Sequence, residues 1–283
     1  MTTFKRFIFL YVLYGNSDRN EKYLEAVTEL QKKLIMLGSD NPTTWIVYNH
    51  LVREFGLFPV FIENPASRVQ LIKNRIRKLG LISVIDQLAF ILLIRPFLQR
   101  RGHNRIKTIC QEKGLETVEP LSPAVQKIES VNSESFRKRL IELNPDIILV
   151  NGTRIIGKKT LGATQATIIN SHQGITPAYR GAHGAYWALY QNDSANCGVT
   201  VHLVDEGIDT GNIIAQAPVQ PSKWDSFVTY PYLQTAACLP ILTKAIQDTA
   251  DGKLDTKSVS GYSAIWYHPG LTQYLRGRMR GVK

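Results

Sequence analysis

Two stretches of this 283-residue chain carry side chains suited to chemistry at a carbonyl carbon. The first runs Asn170-Ser-His-Gln-Gly-Ile-Thr-Pro-Ala-Tyr-Arg-Gly-Ala-His-Gly184. An apolar run, Ala166-Thr-Ile-Ile-Asn170, leads into it and predicts a strand. Residues two apart on a strand point the same way, so Asn170 and His172 should project together. The second stretch, Val201-His-Leu-Val-Asp-Glu-Gly-Ile-Asp-Thr-Gly211, reads as a strand ending in a loop with three carboxylates, Asp205, Glu206 and Asp209. An amide, an imidazole and a carboxylate that converge suit attack on a carbonyl. They supply a donor for the developing oxyanion, a proton shuttle and an acid that orients it. Each residue also has a plainer reading: a turn former for Asn170, a satisfied loop histidine for His172, an Asx turn for Asp209.

The elements around these stretches read as an alternating α/β chain. Lys33-Leu-Ile-Met-Leu37 and Leu57-Phe-Pro-Val-Phe-Ile62 are short apolar runs, and residues 43–54 between them have helical spacing. Strand, helix and strand within ~30 residues make a βαβ unit and imply a parallel sheet. Further strands are predicted at 115–118, 146–150, 166–170, 199–205 and 212–217. Helices are predicted at 133–143, with Ser133 as N-cap, and at 229–249, interrupted by Pro231 and Pro240. The predicted fold class is α/β, a Rossmann-like, mostly parallel sheet with helices on both faces, plus a small C-terminal helical segment. Asn170 and His172 would then stand at the C-terminal edge of the sheet, where open α/β sheets bind ligands.

Residues 1–32 read as an N-terminal extension with a helical stripe over 21–32, residues 33–217 as the catalytic domain, and residues 218–283 as a C-terminal helix and basic tail. Within the domain, residues 66–107 form a basic helical insert with Arg68, Lys73, Arg75, Arg77, Lys78, Arg95, Arg100, Arg101, Arg105 and Lys107. Two readings of the insert stay open. It is a helix pair covering the sheet with a solvated basic face, or it is a cradle for phosphate groups or a peripheral anchor on an anionic membrane. The chain as a whole carries 34 basic and 23 acidic residues, a net charge of +11 that favours polyanionic partners.

A composition of 44% hydrophobic and 20% charged residues excludes a disordered or fibrous chain. Three scattered cysteines, Cys110, Cys197 and Cys238, form no disulfide framework and fit a reducing compartment, hence a cytoplasmic location. The run at 7–14 lacks a cleavage site. The apolar stretch 79–98, broken by Asp86, Gln87 and Arg95, reads as short of a membrane span. The four tryptophans read as core or pocket wall.

In order and spacing, Asn170-Ser-His172, Ile175-Thr-Pro177, Tyr179-Arg-Gly181 and the loop Asp205–Gly211 resemble the folate-dependent formyltransferases. That family includes glycinamide ribonucleotide formyltransferase, methionyl-tRNA formyltransferase and the sugar N-formyltransferases. The resemblance covers about residues 33–217. It implies direct formyl transfer from 10-formyltetrahydrofolate, without a metal. Asn170, His172 and Asp209 match the catalytic triad, with Asp209 favouring the cationic form of His172. Asp205 is the competing acid and falls with the folate pocket. Val150-Asn-Gly-Thr-Arg-Ile-Ile156 matches the segment that cradles the pterin ring. That implies folate contacts at Asn151, Gly152, Thr153, Arg154, Ile155 and Ile156, largely through backbone groups, with Ile175 and Pro177 lining the same pocket. His202 matches a histidine near the site in part of the family. Arg180 suits a phosphate contact, and Tyr186 and Trp187 follow the turn where an acceptor sugar would sit.

Methionyl-tRNA formyltransferases share the Asp-Glu-Gly-x-Asp-Thr-Gly stretch but continue into a C-terminal barrel, and only 66 residues follow Ala217 here. The purine-pathway enzyme lacks the basic insert. The motifs look most like formyltransferase-domain proteins of polysaccharide biosynthesis. That implies an amino-sugar acceptor on a nucleotide- or lipid-linked phosphate carrier, no nucleic-acid partner and, by analogy, a homodimer. The alternatives are a methionyl-tRNA formyltransferase-like activity, a formyltetrahydrofolate hydrolase, or a non-catalytic phosphate- or lipid-binding module.

Overall fold

The structure, a computed structural model, describes residues 33–258 and 260–283. The predicted extension at 1–32, with its helical stripe, lies outside the described residues. Strand β1 (Leu34–Ser39) is followed by helix α1 (Pro42–Phe55) and strand β2 (Val60–Glu63). Asn41 caps α1 by accepting from the Thr44 N–H at 2.9 Å, and Pro42 occupies the first turn, where no donor is needed. Helix α2 (Arg68–Leu79) and the long helix α3 (Leu81–Lys113), with a π-helical turn at Phe90–Ile94, form the insert. Then come β3 (Val125–Ile128), α4 (Glu134–Leu143), β4 (Ile147–Asn151), α5 (Lys158–Leu161), β5 (Thr167–His172), β6 (Arg180–Gly181) and α6 (Gly184–Tyr190). The chain continues through β7 (Gly198–Leu203), β8 (Ile213–Pro218), α7 (Tyr230–Ala250), β9 (Ile265–Trp266) and α8 (Leu271–Met279).

Seven strands form one sheet in the order β3-β2-β1-β4-β5-β7-β8. The first five are mutually parallel; β7 runs antiparallel to both β5 and β8. One face is covered by α1 and α7, whose Trp45, Ile46, Leu239 and Leu242 pack on Leu34, Met36 and Leu149. The other is covered by α4, whose Phe136 and Leu140 meet Ile35, Leu37 and Ile148. The expected mostly parallel sheet with helices on both faces is present. Strands β6 and β9 form a small parallel pair, in register Arg180 with Ile265 and Gly181 with Trp266.

Four expectations change. Residues 115–118 are irregular: Leu115 is buried, Val118 is 74% exposed, and the sheet takes Val125–Ile128 as its edge strand instead. Helix α7 passes through Pro240 unbroken; that residue faces solvent, where water can satisfy the carbonyl it frees. The basic tail is largely helix α8, with Tyr274 buried in an aromatic cluster of Phe90, Tyr186, Tyr190 and Phe227. Helix α3 is also long and apolar enough to cross a membrane by length and composition, despite its polar interruptions.

Candidate active site

The site forms where β5 and β7 end. Asn170 and His202 face each other across the antiparallel β5–β7 pair. His202 Nδ1 lies 2.7 Å from the Leu203 carbonyl. Its Nε2 lies between two groups, 3.1 Å from Asn170 Nδ2 and 3.6 Å from Asp209 Oδ1. The same amide lies 3.4 Å from Asp209 Oδ1. His172, two residues along β5, has its Nε2 2.7 Å from the Tyr179 carbonyl and its Nδ1 3.4 Å from Asp209 Oδ2. Asn170, His172 and Asp209, drawn from separate stretches, therefore meet, with His202 as a fourth member.

Glycines make this approach possible. A Cβ on Gly174 would strike the Tyr179 carbonyl and come within 2.7 Å of His172 Nε2. Gly181 adopts φ +90°, a Cβ there would meet the Trp266 carbonyl, and its N–H donates to Asp209 Oδ2 at 2.9 Å. The acidic loop is held from within: Asp205 Oδ1 accepts from the Gly207 N–H at 2.9 Å and from Thr210 Oγ1 at 2.7 Å. Asp205 thus shapes the loop that delivers Asp209, itself in a left-handed conformation at φ +51°.

Burial raises the Asp209 carboxyl, but His202, the nearby His172 ring and the Gly181 N–H outweigh it and hold the group down at about 2. Asp209 is therefore ionised at neutral pH. For His172 the balance runs the other way. Burial lowers its pKa more than Asp209 and the Tyr179 carbonyl raise it, so the expectation that Asp209 keeps it cationic is corrected. Its neutral ring donates from Nε2 and turns an unprotonated Nδ1 toward a carboxylate.

A cavity of about 450 Å³ opens over these groups. Asn151, Gly152, Thr153, Arg154, Ile155 and Ile156 line one side; Asn170, His172, His202, Asp205 and Asp209 line the other. The segment after β4 is pinned by its neighbours. The buried Glu63 pairs with Arg154 at 2.7 Å, Asn132 donates to the Ile155 carbonyl at 2.8 Å, and Ser39 donates to the Gly152 carbonyl at 2.8 Å. The Arg154 N–H also goes to Glu63. The Arg154 N–H and the Ile155 carbonyl are thus taken up in holding the loop, while both residues remain on the cavity wall. Asn151 donates to Ser171 and accepts from Thr44, bracing the cavity floor.

Five predicted residues fall outside the cavity wall. Tyr186 and Trp187 are 1% and 3% exposed and belong to the aromatic cluster. The α6 turn rolls them inward because they occupy its apolar face. Arg180 Nη1 donates to the Ile208 carbonyl at 3.0 Å, so it clamps the acidic loop. Ile175 and Pro177 also lie outside the lining. In their place the wall includes Asn41, Thr43, Gln173, His183, Val204 and Ile208. Of these, His183 had a signal: a second histidine inside the first motif.

The cavity, its apolar flank of Val150, Ile156, Val204 and Ile208, and the polar quartet opposite fit a flat, polar-edged ring with a reactive carbonyl. Residues 100–230 match the family model described as formyl transferase. Residues 100–230, a little under half of the chain, thus carry the formyl transferase domain. A methionyl-tRNA formyltransferase of Thermodesulfovibrio yellowstonii is 30% identical over 176 residues, 60% of this chain and 54% of that protein. The chain thus spans about half the length of the curated relatives it matches. Among solved structures, a sugar N-formyltransferase from a Shewanella species shares the fold with a TM-score of 0.55 at 16% identity, over 88% of this chain and 87% of that one. An N-formyltransferase from Helicobacter canadensis, solved with folinic acid and dTDP-3-aminofucose, aligns with a TM-score of 0.50 at 16% identity, over 83% of this chain and 70% of that one.

Proposed function

We propose that this chain transfers a formyl group from 10-formyltetrahydrofolate to the primary amine of an amino sugar carried on a nucleotide or lipid diphosphate. The observation that carries the reaction type is the meeting of Asn170, His172 and Asp209 at one end of a cavity. The folate supplies an electrophilic formyl carbon. Residues 150–156 and Val204 would bound the side of the cavity that receives its ring.

The neutral amine attacks the formyl carbon, a C–N bond forms, and the carbonyl oxygen gains negative charge. Of the two hydrogens on Asn170 Nδ2, one lies toward His202 at 3.1 Å and the other toward Asp209 at a longer 3.4 Å; the second is the one that would turn to that oxygen when substrate binds. A donor of this kind is worth roughly 3 kcal/mol in the transition state. The attacking nitrogen must lose a proton. The gap between His172 Nδ1 and Asp209 Oδ2 has two acceptors facing each other at 3.4 Å, and a proton placed there turns a repulsive contact into a charge-assisted one. The proton then passes to the departing folate nitrogen as the C–N bond to the carrier breaks. Formamide and tetrahydrofolate result.

The amino-sugar reading is supported by the fold likeness over nearly the full length of the Shewanella protein and by the net charge of +11, which suits a diphosphate. A second reading, methionyl-tRNA as acceptor, rests on the curated relatives. The test is incubation of the full chain with 10-formyltetrahydrofolate and a panel of nucleotide-linked amino sugars, following tetrahydrofolate release and product mass. Formylated sugar is the expected product. Turnover with initiator methionyl-tRNA alone would overturn the acceptor, and release without any acceptor would identify a hydrolase.

A further inference from the structure

Helices α2 and α3 present a surface that the transfer reaction does not use. None of the twelve residues of α2 is buried. Four of its five apolar side chains, Val69, Ile72, Ile76 and Leu79, recur at intervals of three and four and form one stripe, with Leu71 beside it. In α3 the buried residues Val84, Gln87 and Phe90 face the body of the protein. The opposite side exposes Ile82 (85%), Leu92 (70%) and Leu93 (66%), along with Ile85 and Phe97. Solvated helices do not ordinarily leave so many large apolar groups in water.

The charges on the same helices are of one sign. Between residues 66 and 111 stand ten basic residues and one acid, Asp86. Asp86 accepts from the Thr272 hydroxyl and the Thr272 N–H and so is turned toward α8. Arg105 pairs with Asp225. Among the described residues, Arg68, Lys73, Arg75, Arg77, Lys78, Arg95, Arg100 and Arg101 form no ion pair with a carboxylate.

We propose that α2 and the first half of α3 lie flat on an anionic lipid surface, with the apolar stripe at the acyl boundary and the basic residues among the headgroups. An exposed apolar stripe flanked by unpaired cations is what an interfacial helix requires. Spanning does not fit: Gln87 donates to the His268 carbonyl at 2.8 Å, and Gly102 and Ile109 further along α3 are buried. A second copy fits poorly, because a twofold contact would press two sets of unpaired cations together. The lipid surface supplies the missing charge. The other side of α3 reaches toward the site: the buried Phe90 packs edge-on against His268, which touches His183 on the cavity wall. The inference does not depend on formyl transfer being the reaction.

The test is sedimentation of the full chain with large vesicles, either of phosphatidylcholine alone or with 30% phosphatidylglycerol. The expected result is binding to the anionic vesicles at least tenfold stronger than to the neutral ones. Both the triple change Ile82→Asp, Leu92→Asp, Leu93→Asp and the pair Arg75→Glu, Lys78→Glu should weaken it about tenfold or more, with circular dichroism and thermal unfolding unchanged. No binding to anionic vesicles overturns the proposal. So does undiminished binding by both variants, which would move the contact to another part of the chain. A dimer in solution that the triple change dissociates, without lipid binding, would assign the face to a second copy instead.

Discussion

His202 stands directly across from Asn170 in the β5–β7 pair, and its Nε2 lies 3.1 Å from the amide nitrogen. This fixes which end of the Asn170 side chain faces Asp209 and the cavity. In the proposed reaction Asn170 would touch the reacting oxygen and His202 would position that amide. Asn170→Ala should lower kcat by about 10²- to 10³-fold with little change in KM for folate. His202→Ala should lower it less, and the double variant should be no worse than Asn170→Ala alone. Additive losses in that cycle would show that His202 acts on substrate directly.

Gly174 is tested by a single methyl group. Its Cβ would press on the Tyr179 carbonyl, the acceptor that holds His172 Nε2. Gly174→Ala should therefore push the imidazole off its carbonyl and away from Asp209. The expected cost is a fall in kcat by on the order of 10²-fold, with a stability loss of about 1–3 kcal/mol from overpacking. Kinetics and urea unfolding on the same preparation separate the two effects. A variant as active as the parent would place the His172–Tyr179 contact outside the mechanism.

Much of this is legible in the sequence, for particular reasons. Strand β5 announced Asn170 and His172 because an apolar run with period two fixes side-chain direction locally. The acidic loop declared three carboxylates, but choosing Asp209 over Asp205 from the residues alone was not possible. That choice is made by Gly181 and by the two imidazoles, which come from other parts of the chain. Tyr186, Trp187 and Arg180 turn away from the cavity for a related reason: nearness in sequence to the motif says nothing about which way a helix face or a guanidinium turns. The support of the loop at 152–157 by Glu63, Asn132 and Ser39 spans up to 113 residues of sequence and left no local signature.

That support is open to test at Glu63. The carboxylate is buried and holds Arg154 through both its side chain and its N–H, while Arg154 itself is 33% exposed. Glu63→Ala should cost on the order of 2 kcal/mol, less than for a fully buried pair because water reaches the arginine. It should also raise KM for folate more than it lowers kcat, since the loop bounds the cavity without reaching the reacting atoms. A reversed split, kcat falling with KM unchanged, would contradict that placement.

Stability should also respond to mild acid through His183. Burial pushes its pKa down to about 3, with His268, Arg95 and Arg75 adding to the effect; burial also lowers His268, to about 4. Between pH 6.5 and these values the unfolded chain binds protons that the folded chain refuses, so stability is complete above pH 6.5 and declines as pH falls. One such group accounts for at most ~1.4 kcal/mol per pH unit. The figure here should be smaller, because His183 is partly exposed on the cavity wall. His183→Asn suits the left-handed backbone at φ +61° and removes the titrating ring. Urea unfolding at pH 7.5, 6.0 and 5.0 should show a shallower acid decline in this variant than in the parent. Parallel declines would mean that other groups carry the pH dependence.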